Sequence, residues 1–179
     1  IGTRLTSQKG LDLILNKMEE ILNRDVQVVL LGAGDRQYED ALGYWASVAP
    51  EKLSCNLKYD FGLSCRIYAS CDLFLMPSLF EPCGLSQMMS LRYGTVPIVR
   101  ETGGLKDSVA AYNEYEMTGT GFSFAHYNAE EMMSVIDYAL YIYSMKEHWE
   151  YLVFSAMLTK LDWENSGKQY IAAFESLLN

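Results

Sequence analysis

Three short stretches of this sequence combine residue types that hold anions and hydroxyls. Arg4 and Lys9 stand five residues apart, with Thr6, Ser7 and Gln8 between them. Two cations on one loop could neutralise a diphosphate, the arginine as a fork and the lysine as a point charge, or could be a solvated basic lead-in to a helix. Glu81 follows an apolar run and precedes Pro82, and a residue before proline is held extended, which fixes the direction of its carboxylate. A helix expected to begin at about Gly84 sets a row of unpaired backbone amides directly after this acid. Amides and a positive helix end can hold an anion while a carboxylate accepts hydrogen bonds from hydroxyls, so the junction suits a sugar attached to phosphate. A plainer reading is an acid that only stabilises the helix dipole. Cys83 stands at the same helix start, either with a lowered thiol pKa or as a small packed side chain. Thr102-Gly103-Gly104 offers a hydroxyl and two unhindered amides, another anion-friendly turn or a turn alone.

These residues need a scaffold, and the hydrophobic pattern supplies one. Ile1-Gly2-Thr3-Arg4 reads as the end of a strand whose earlier residues are absent, so the chain is expected to start inside a longer protein. From Leu11 to Asn23, Leu11, Ile14, Leu15, Met18, Ile21 and Leu22 recur at helical spacing, with Lys17, Glu19 and Glu20 facing outward. Val26 to Leu31 is a buried parallel strand, and Gly32-Ala33-Gly34 after it forms a tight turn or a close approach to a ligand. A G-x-G-x-x-G reading fails there, because Gln37 replaces the third glycine. The pattern continues with helix 36–47, strand 53–59, helix 63–70, strand 72–77, helix 84–93, strand 96–99, a short helix or turn through Asp107 and Ala111, and a last short strand around Phe122 and Phe124. Beyond Asn128 only helices follow, at 129–145, 149–158 and 163–178. Alternating strands and helices imply right-handed crossovers, hence an α/β doubly wound parallel sheet with a helical C-terminal tail. In such a sheet ligands bind beyond the carboxyl ends of the strands, where Arg4, Gly32 to Gly34, Glu81 and Thr102 to Gly104 gather at one crevice.

Composition bounds the function. The 179 residues fit one domain, 1–179, with half of them hydrophobic. A net charge of -9 repels phosphate backbones and anionic lipid, so neither a nucleic-acid partner nor a membrane is expected. No apolar run approaches the roughly 18 residues of a membrane helix, and the N-terminus lacks the layout of a secretory signal. Cys55, Cys65, Cys71 and Cys83 show no metal-ligand spacing and His126 and His148 lie far from them, so reduced thiols, no metal and a cytoplasmic location are expected. Tyr59, before Asp60, is either a flat face for a nucleobase or a core residue. Tyr138, Tyr141, Tyr143, Trp149 and Tyr151 read as the packing face of the last helices.

Four stretches taken in order resemble the bacterial glycogen synthases and plant starch synthases: Arg4-Leu5-Thr6-Ser7-Gln8-Lys9-Gly10-Leu11-Asp12-Leu13, Leu30-Leu31-Gly32-Ala33-Gly34-Asp35, Pro77-Ser78-Leu79-Phe80-Glu81-Pro82-Cys83-Gly84-Leu85 and Arg100-Glu101-Thr102-Gly103-Gly104-Leu105-Lys106-Asp107. That resemblance implies a retaining glycosyltransferase of the GT-B type, two Rossmann-like domains with the active site between them. This chain is similar only to the C-terminal, nucleotide-sugar-binding domain, the N-terminal acceptor-binding domain being absent. By the same resemblance Arg4 and Lys9 contact the ADP diphosphate, Glu81 the glucose hydroxyls, and the amides of Cys83, Gly84 and Leu85 the sugar and phosphate. Ser86 stands where a phosphate-binding threonine is common, Tyr59 where an aromatic packs on adenine, and Thr102, Gly103 and Gly104 line the cleft. One departure from the wider pattern is Met89, where many relatives carry a ribose-binding glutamate. The implied reaction transfers glucose from ADP-glucose to the non-reducing end of an α-1,4-glucan with retention, without cofactor or metal, and the chain alone is expected to be inactive. A UDP-sugar-dependent transferase with a smaller acceptor and a non-catalytic glucan-binding module are the competing expectations. If the last helix normally crosses to the partner domain, apolar surface near Trp163 and Tyr170 is left open to self-association.

Overall fold

Every pairing between the described strands is parallel. The computed structural model describes residues 2–177. β1 (Val28–Leu31) pairs with β2 (Leu53–Asn56), and β3 (Leu73–Met76) with β4 (Val96–Arg100), which pairs in turn with β5 (Phe122–Phe124). The doubly wound α/β architecture is therefore present, but its hydrogen-bonded ladder divides into sheets of two and three strands. Residues 2–5 lie along β1, with Thr3 and Leu5 donating to the Leu31 and Ala33 carbonyls at 3.0 Å. On the other side Gly2 faces the Phe74 ring of β3. The expected strand end at 1–4 thus holds for residues 2–4, while Ile1 lies outside the described residues.

Burial of both faces explains the unbroken apolar strands. Leu73, Leu75, Val96 and Ile98 belong to the larger core, with Leu11, Ile14, Met18, Met132, Ile136 and Ile142. Their neighbours Phe74, Met76 and Val99 point the other way, into a second cluster with Tyr68, Leu105 and Val109. α1 (Leu11–Asn16), α2 (Met18–Leu22) and α7 (Ala129–Ser144) cover the first face. The second is covered by α4 (Phe61–Ser70) and α6 (Gly103–Ser108), with α5 (Ser86–Tyr93) packed against α4, α6, β3 and β4. α3 (Arg36–Val48) starts where expected, and α8 (Lys146–Met157) starts earlier, at Lys146 rather than Trp149.

Several expectations need correction. The single helix expected over 11–23 is broken at Lys17, whose φ of -110° and ψ of 11° leave the helical range. Lys17 does not face outward: it is buried, pairing with Glu20 at 2.7 Å and with Glu130 of α7. An ammonium desolvated this far needs such partners, and the helix is interrupted at the residue that makes them. β2 ends at Asn56, so Tyr59 sits in the following loop. α5 begins at Ser86 rather than Gly84, and α6 spans Gly103–Ser108 instead of reaching Ala111. The helical tail ends in α9 (Trp163–Ser176), with Leu178 outside the described residues. None of α9 is buried, and Trp163 is 83% exposed. Tyr138 packs on Phe122 and Tyr143 on Trp149, as a packing face requires, although Tyr141 and Tyr143 remain about half exposed.

A cavity of about 820 Å³ with a mixed lining opens between β1 and β3, bordered by Met18, Ile21, Leu73 and Ile136 and by the charged Asp25 and Lys52. It lies toward the amino ends of those strands, on the opposite rim from Lys9 and Glu81, and is separate from the polar cluster that those two residues form. No described helix is long and apolar enough to cross a membrane. The four cysteines are unpaired.

Candidate functional site

Close contacts between main-chain segments build the site at the carboxyl rim. Ser7–Lys9 forms a 3-10 turn closed by Gly10 in a left-handed conformation, φ 71°. A Cβ on Gly10 would stand 2.1 Å from the Pro77 carbonyl oxygen, so only glycine lets this turn meet the segment leaving β3. The two are then sewn together: Leu79 N donates to Gln8 O at 2.9 Å and Gln8 Nε2 to Phe80 O at 2.9 Å. From β4, Arg100 donates through Nε to Ser78 O at 2.8 Å and through Nη2 to Leu79 O. The outcome is a direct ion pair between Lys9 Nζ and Glu81 Oε2, with the two side chains only 14% and 10% exposed.

Beyond Glu81 the chain turns through Gly84, φ 74°, into α5, whose cap residue Leu85 contributes no side-chain hydrogen bond. The backbone N–H groups of Cys83, Gly84 and Leu85 accordingly donate to nothing among the described residues. Three unpaired donors preceding a helix are groups of the kind that accept an anion, and they follow closely in sequence on the carboxylate that pairs with Lys9.

The turn at Thr102-Gly103-Gly104 behaves differently from the expectation of two open amides. Gly104 N donates to Glu81 O at 3.0 Å and Pro82 O at 3.2 Å, so that amide is occupied. A Cβ on Gly103 would lie 2.3 Å from Glu81 O, and one on Gly104 2.0 Å from Cys83 O. These glycines are therefore required by close packing against residues 81–83. Gly32 and Gly34 have a similar cause: Cβ atoms there would meet the Thr3 and Leu5 carbonyls at 1.9 and 2.3 Å.

Lys9, Glu81, the turn 83–86 and the turn 102–104 thus come together. Arg4, exposed and without an ion pair among the described residues, makes no bond to them. Neither does Tyr59, whose 90% exposure rules out the core alternative. Its loop is held by Asp60, which caps α4 and whose carboxyl lies below its usual range because it accepts from Leu63 N and pairs with Lys58. Cys83 is exposed, which removes the reading as a packed side chain. Ser86 begins α5 near Tyr68, a phenol whose pKa burial holds above its ordinary value. Met89 is 41% exposed, leaving no carboxylate at that position. Sequence reasoning gave no role to Gln8, Gln87 or Arg100. A charged residue closing the all-buried strand β4 was a usable signal for Arg100, whereas no pattern marks the two glutamines.

Comparison with known proteins gives the chain its relatives. Residues 3–151 match the family model "Glycosyl transferases group 1". The glycogen synthase of Clostridium beijerinckii is 52% identical over 175 residues, covering 98% of this chain but 36% of that protein. Among solved structures, the catalytic domain of starch synthase IV from Arabidopsis thaliana, bound to ADP and acarbose, superposes with a TM-score of 0.86 at 36% identity, covering 98% of this chain and 37% of that one. The C-terminal domain of a group 1 glycosyl transferase from Francisella tularensis, 12% identical with a TM-score of 0.63, shares the fold, covering 88% of this chain and 80% of its own. The chain thus spans little more than a third of the length of the curated relatives it matches.

Proposed function

Because the chain belongs to the group 1 glycosyl transferases, we propose that it is the donor-binding domain of a glycogen synthase, holding ADP-glucose for transfer of glucose to the non-reducing end of an α-1,4-glucan with retention. The observation that carries this reading is the Lys9–Glu81 pair set beside the free amides of residues 83–85. The ammonium and amides offset the charge of the departing diphosphate, and the carboxylate accepts from the glucose hydroxyls and orients the ring. Arg4, on the loop just before, adds a guanidinium to the diphosphate, and Tyr59 a flat face to adenine. Thr102 and Gly103, in the turn packed against residues 81–83, line the same cleft. ADP as the nucleotide is supported by the relative of known structure that holds it.

The acceptor-binding face belongs to the part of the relatives outside the matched third, as one half of a two-domain enzyme. The chain alone therefore binds donor without transferring glucose. A cytoplasmic location is supported by the four unpaired cysteines. Calorimetric titration with ADP, ADP-glucose and UDP tests the proposal, repeated on Lys9→Ala and Glu81→Ala. ADP binding that weakens in the first variant, and an ADP-glucose preference that disappears in the second, are the expected results. Binding indifferent to both substitutions refutes the site, and preference for UDP refutes the donor.

A further inference from the structure

Gln87 is fully buried at the second position of α5, and no polar ligand is needed to explain it. Its Nε2 lies 3.0 Å from Cys83 O, 2.8 Å from Gly84 O and 3.0 Å from Ser108 Oγ. Ser108 in turn donates to Gly104 O, and Gly104 N donates back to Glu81 O at 3.0 Å. The bonds form a closed circuit that runs from the turn 83–84 through Gln87 and Ser108 to the turn 102–104 and returns to Glu81. The orientation of the amide is fixed by its surroundings, since two carbonyls facing it accept only from a nitrogen. Its Oε1 is consequently the one buried side-chain nitrogen or oxygen without a hydrogen-bond partner among the described residues. An orphaned acceptor in such a place is costly, and what it secures is the position of the nitrogen.

We propose that Gln87 is a positioning residue for donor binding: its amide locks the turn 83–85 onto the turn 102–104 and so sets the free amides of Cys83, Gly84 and Leu85 before any ligand arrives. This rests on the donor-binding reading above for its purpose, but not for its structural half. A charged replacement separates the donor role from packing. The carboxylate introduced by Gln87→Glu would face two carbonyl oxygens with nothing to donate, whereas its protonated form regains one O–H. Burial favours that neutral form, so the lock is expected to return as pH falls.

Two measurements on the chain decide the matter. In the unliganded chain, hydrogen exchange of the Gly104 amide reads closure of the two turns, with the Ile98 amide of β4 as a core reference. In Gln87→Met and in Ser108→Ala, which leaves no sizeable cavity, exchange at Gly104 is expected to accelerate at least tenfold more than at Ile98. Equal acceleration at both positions overturns the proposal whether or not ADP binds. ADP affinity is expected to fall at least tenfold in Gln87→Met at every pH. In Gln87→Glu the loss relative to the unaltered chain should be tenfold at pH 8 and shrink below threefold at pH 5.5. A loss independent of pH overturns the donor-presenting role. Failure of the unaltered chain to bind ADP refutes the proposed function, and the exchange experiment still judges the lock.

Discussion

Replacing Gly104 by alanine puts the main-chain packing of the site to a quantitative test. The added Cβ would stand 2.0 Å from Cys83 O, 2.5 Å from Cys83 Cα and 2.6 Å from Cys83 C, all main-chain atoms that no rotamer change can move. Relief to about 3 Å requires the two turns to separate by about 1 Å, and overpacking of that kind costs about 1–3 kcal/mol. For a domain of this size that corresponds to a fall in Tm of about 2–12 °C. The same displacement stretches a hydrogen bond from a residue 83–85 amide to phosphate beyond useful range. Each such charge-assisted bond is worth about 1.5–3 kcal/mol, so ADP binding should weaken about 10- to 150-fold. Calorimetric titration with ADP, beside thermal unfolding followed by circular dichroism, measures both effects. Gly43→Ala is the control, because nothing lies within 4 Å of its Cβ and α3 gains helix propensity. A folded Gly104→Ala chain that binds ADP within twofold of the unaltered one refutes the argument that these glycines hold the donor-binding turn in place.

Other substitutions test the remaining contacts. Lys9→Met leaves the Glu81 carboxylate, 10% exposed, without its cation and should destabilise the chain by about 3 kcal/mol in urea unfolding. Adding Glu81→Gln should recover at least half of that loss, and a double variant no more stable than Lys9→Met contradicts the pairing. His126 is raised above its ordinary 6.5 by its hydrogen bond to Glu131, so the stability it adds is present below that value and is lost as pH rises through the higher folded one. Glu131 is lowered below 4.5 by the same contact, so its contribution is present above 4.5 and is lost as pH falls through the folded value. The Tm advantage of the unaltered chain over His126→Gln should therefore shrink as pH rises from 6.5 through the higher folded value, and an advantage constant with pH argues against the pair. With Trp163, Tyr170 and Phe174 of α9 exposed, light scattering should detect self-association that Phe174→Ser reduces, and a monodisperse monomer at high concentration refutes this.

The fold was legible where one physical cause dominates. Strand-helix alternation and apolar runs such as Leu73 to Met76 identify a parallel sheet covered on both faces, because only that arrangement buries both sets of alternating side chains. Lys17 was misread because its periodicity matches a solvent-facing position, while its burial depends on Glu130 of α7, 113 residues away. Lys9 and Glu81 were legible as chemistry but not as a pair, since their contact depends on Gly10 fitting against Pro77. Thr102-Gly103-Gly104 was misjudged for a related reason. A glycine permits approach by a ligand or by the chain itself, and only the position of Cys83 O distinguishes the two. Gln87 left no trace, because a polar residue inside a helix carries no sign of being buried.

On the proposed donor-binding reading, the contact between Lys9 and Glu81 would also set how quickly a nucleotide arrives. The chain carries a net charge of -9, and the nearly buried lysine already faces a carboxylate, so little positive field extends outward from it to draw in an anion. An approaching diphosphate instead meets overall repulsion, countered locally by the exposed Arg4. Association with ADP should accelerate as ionic strength rises and screening shortens the reach of that repulsion, the opposite of what a cation-lined funnel produces.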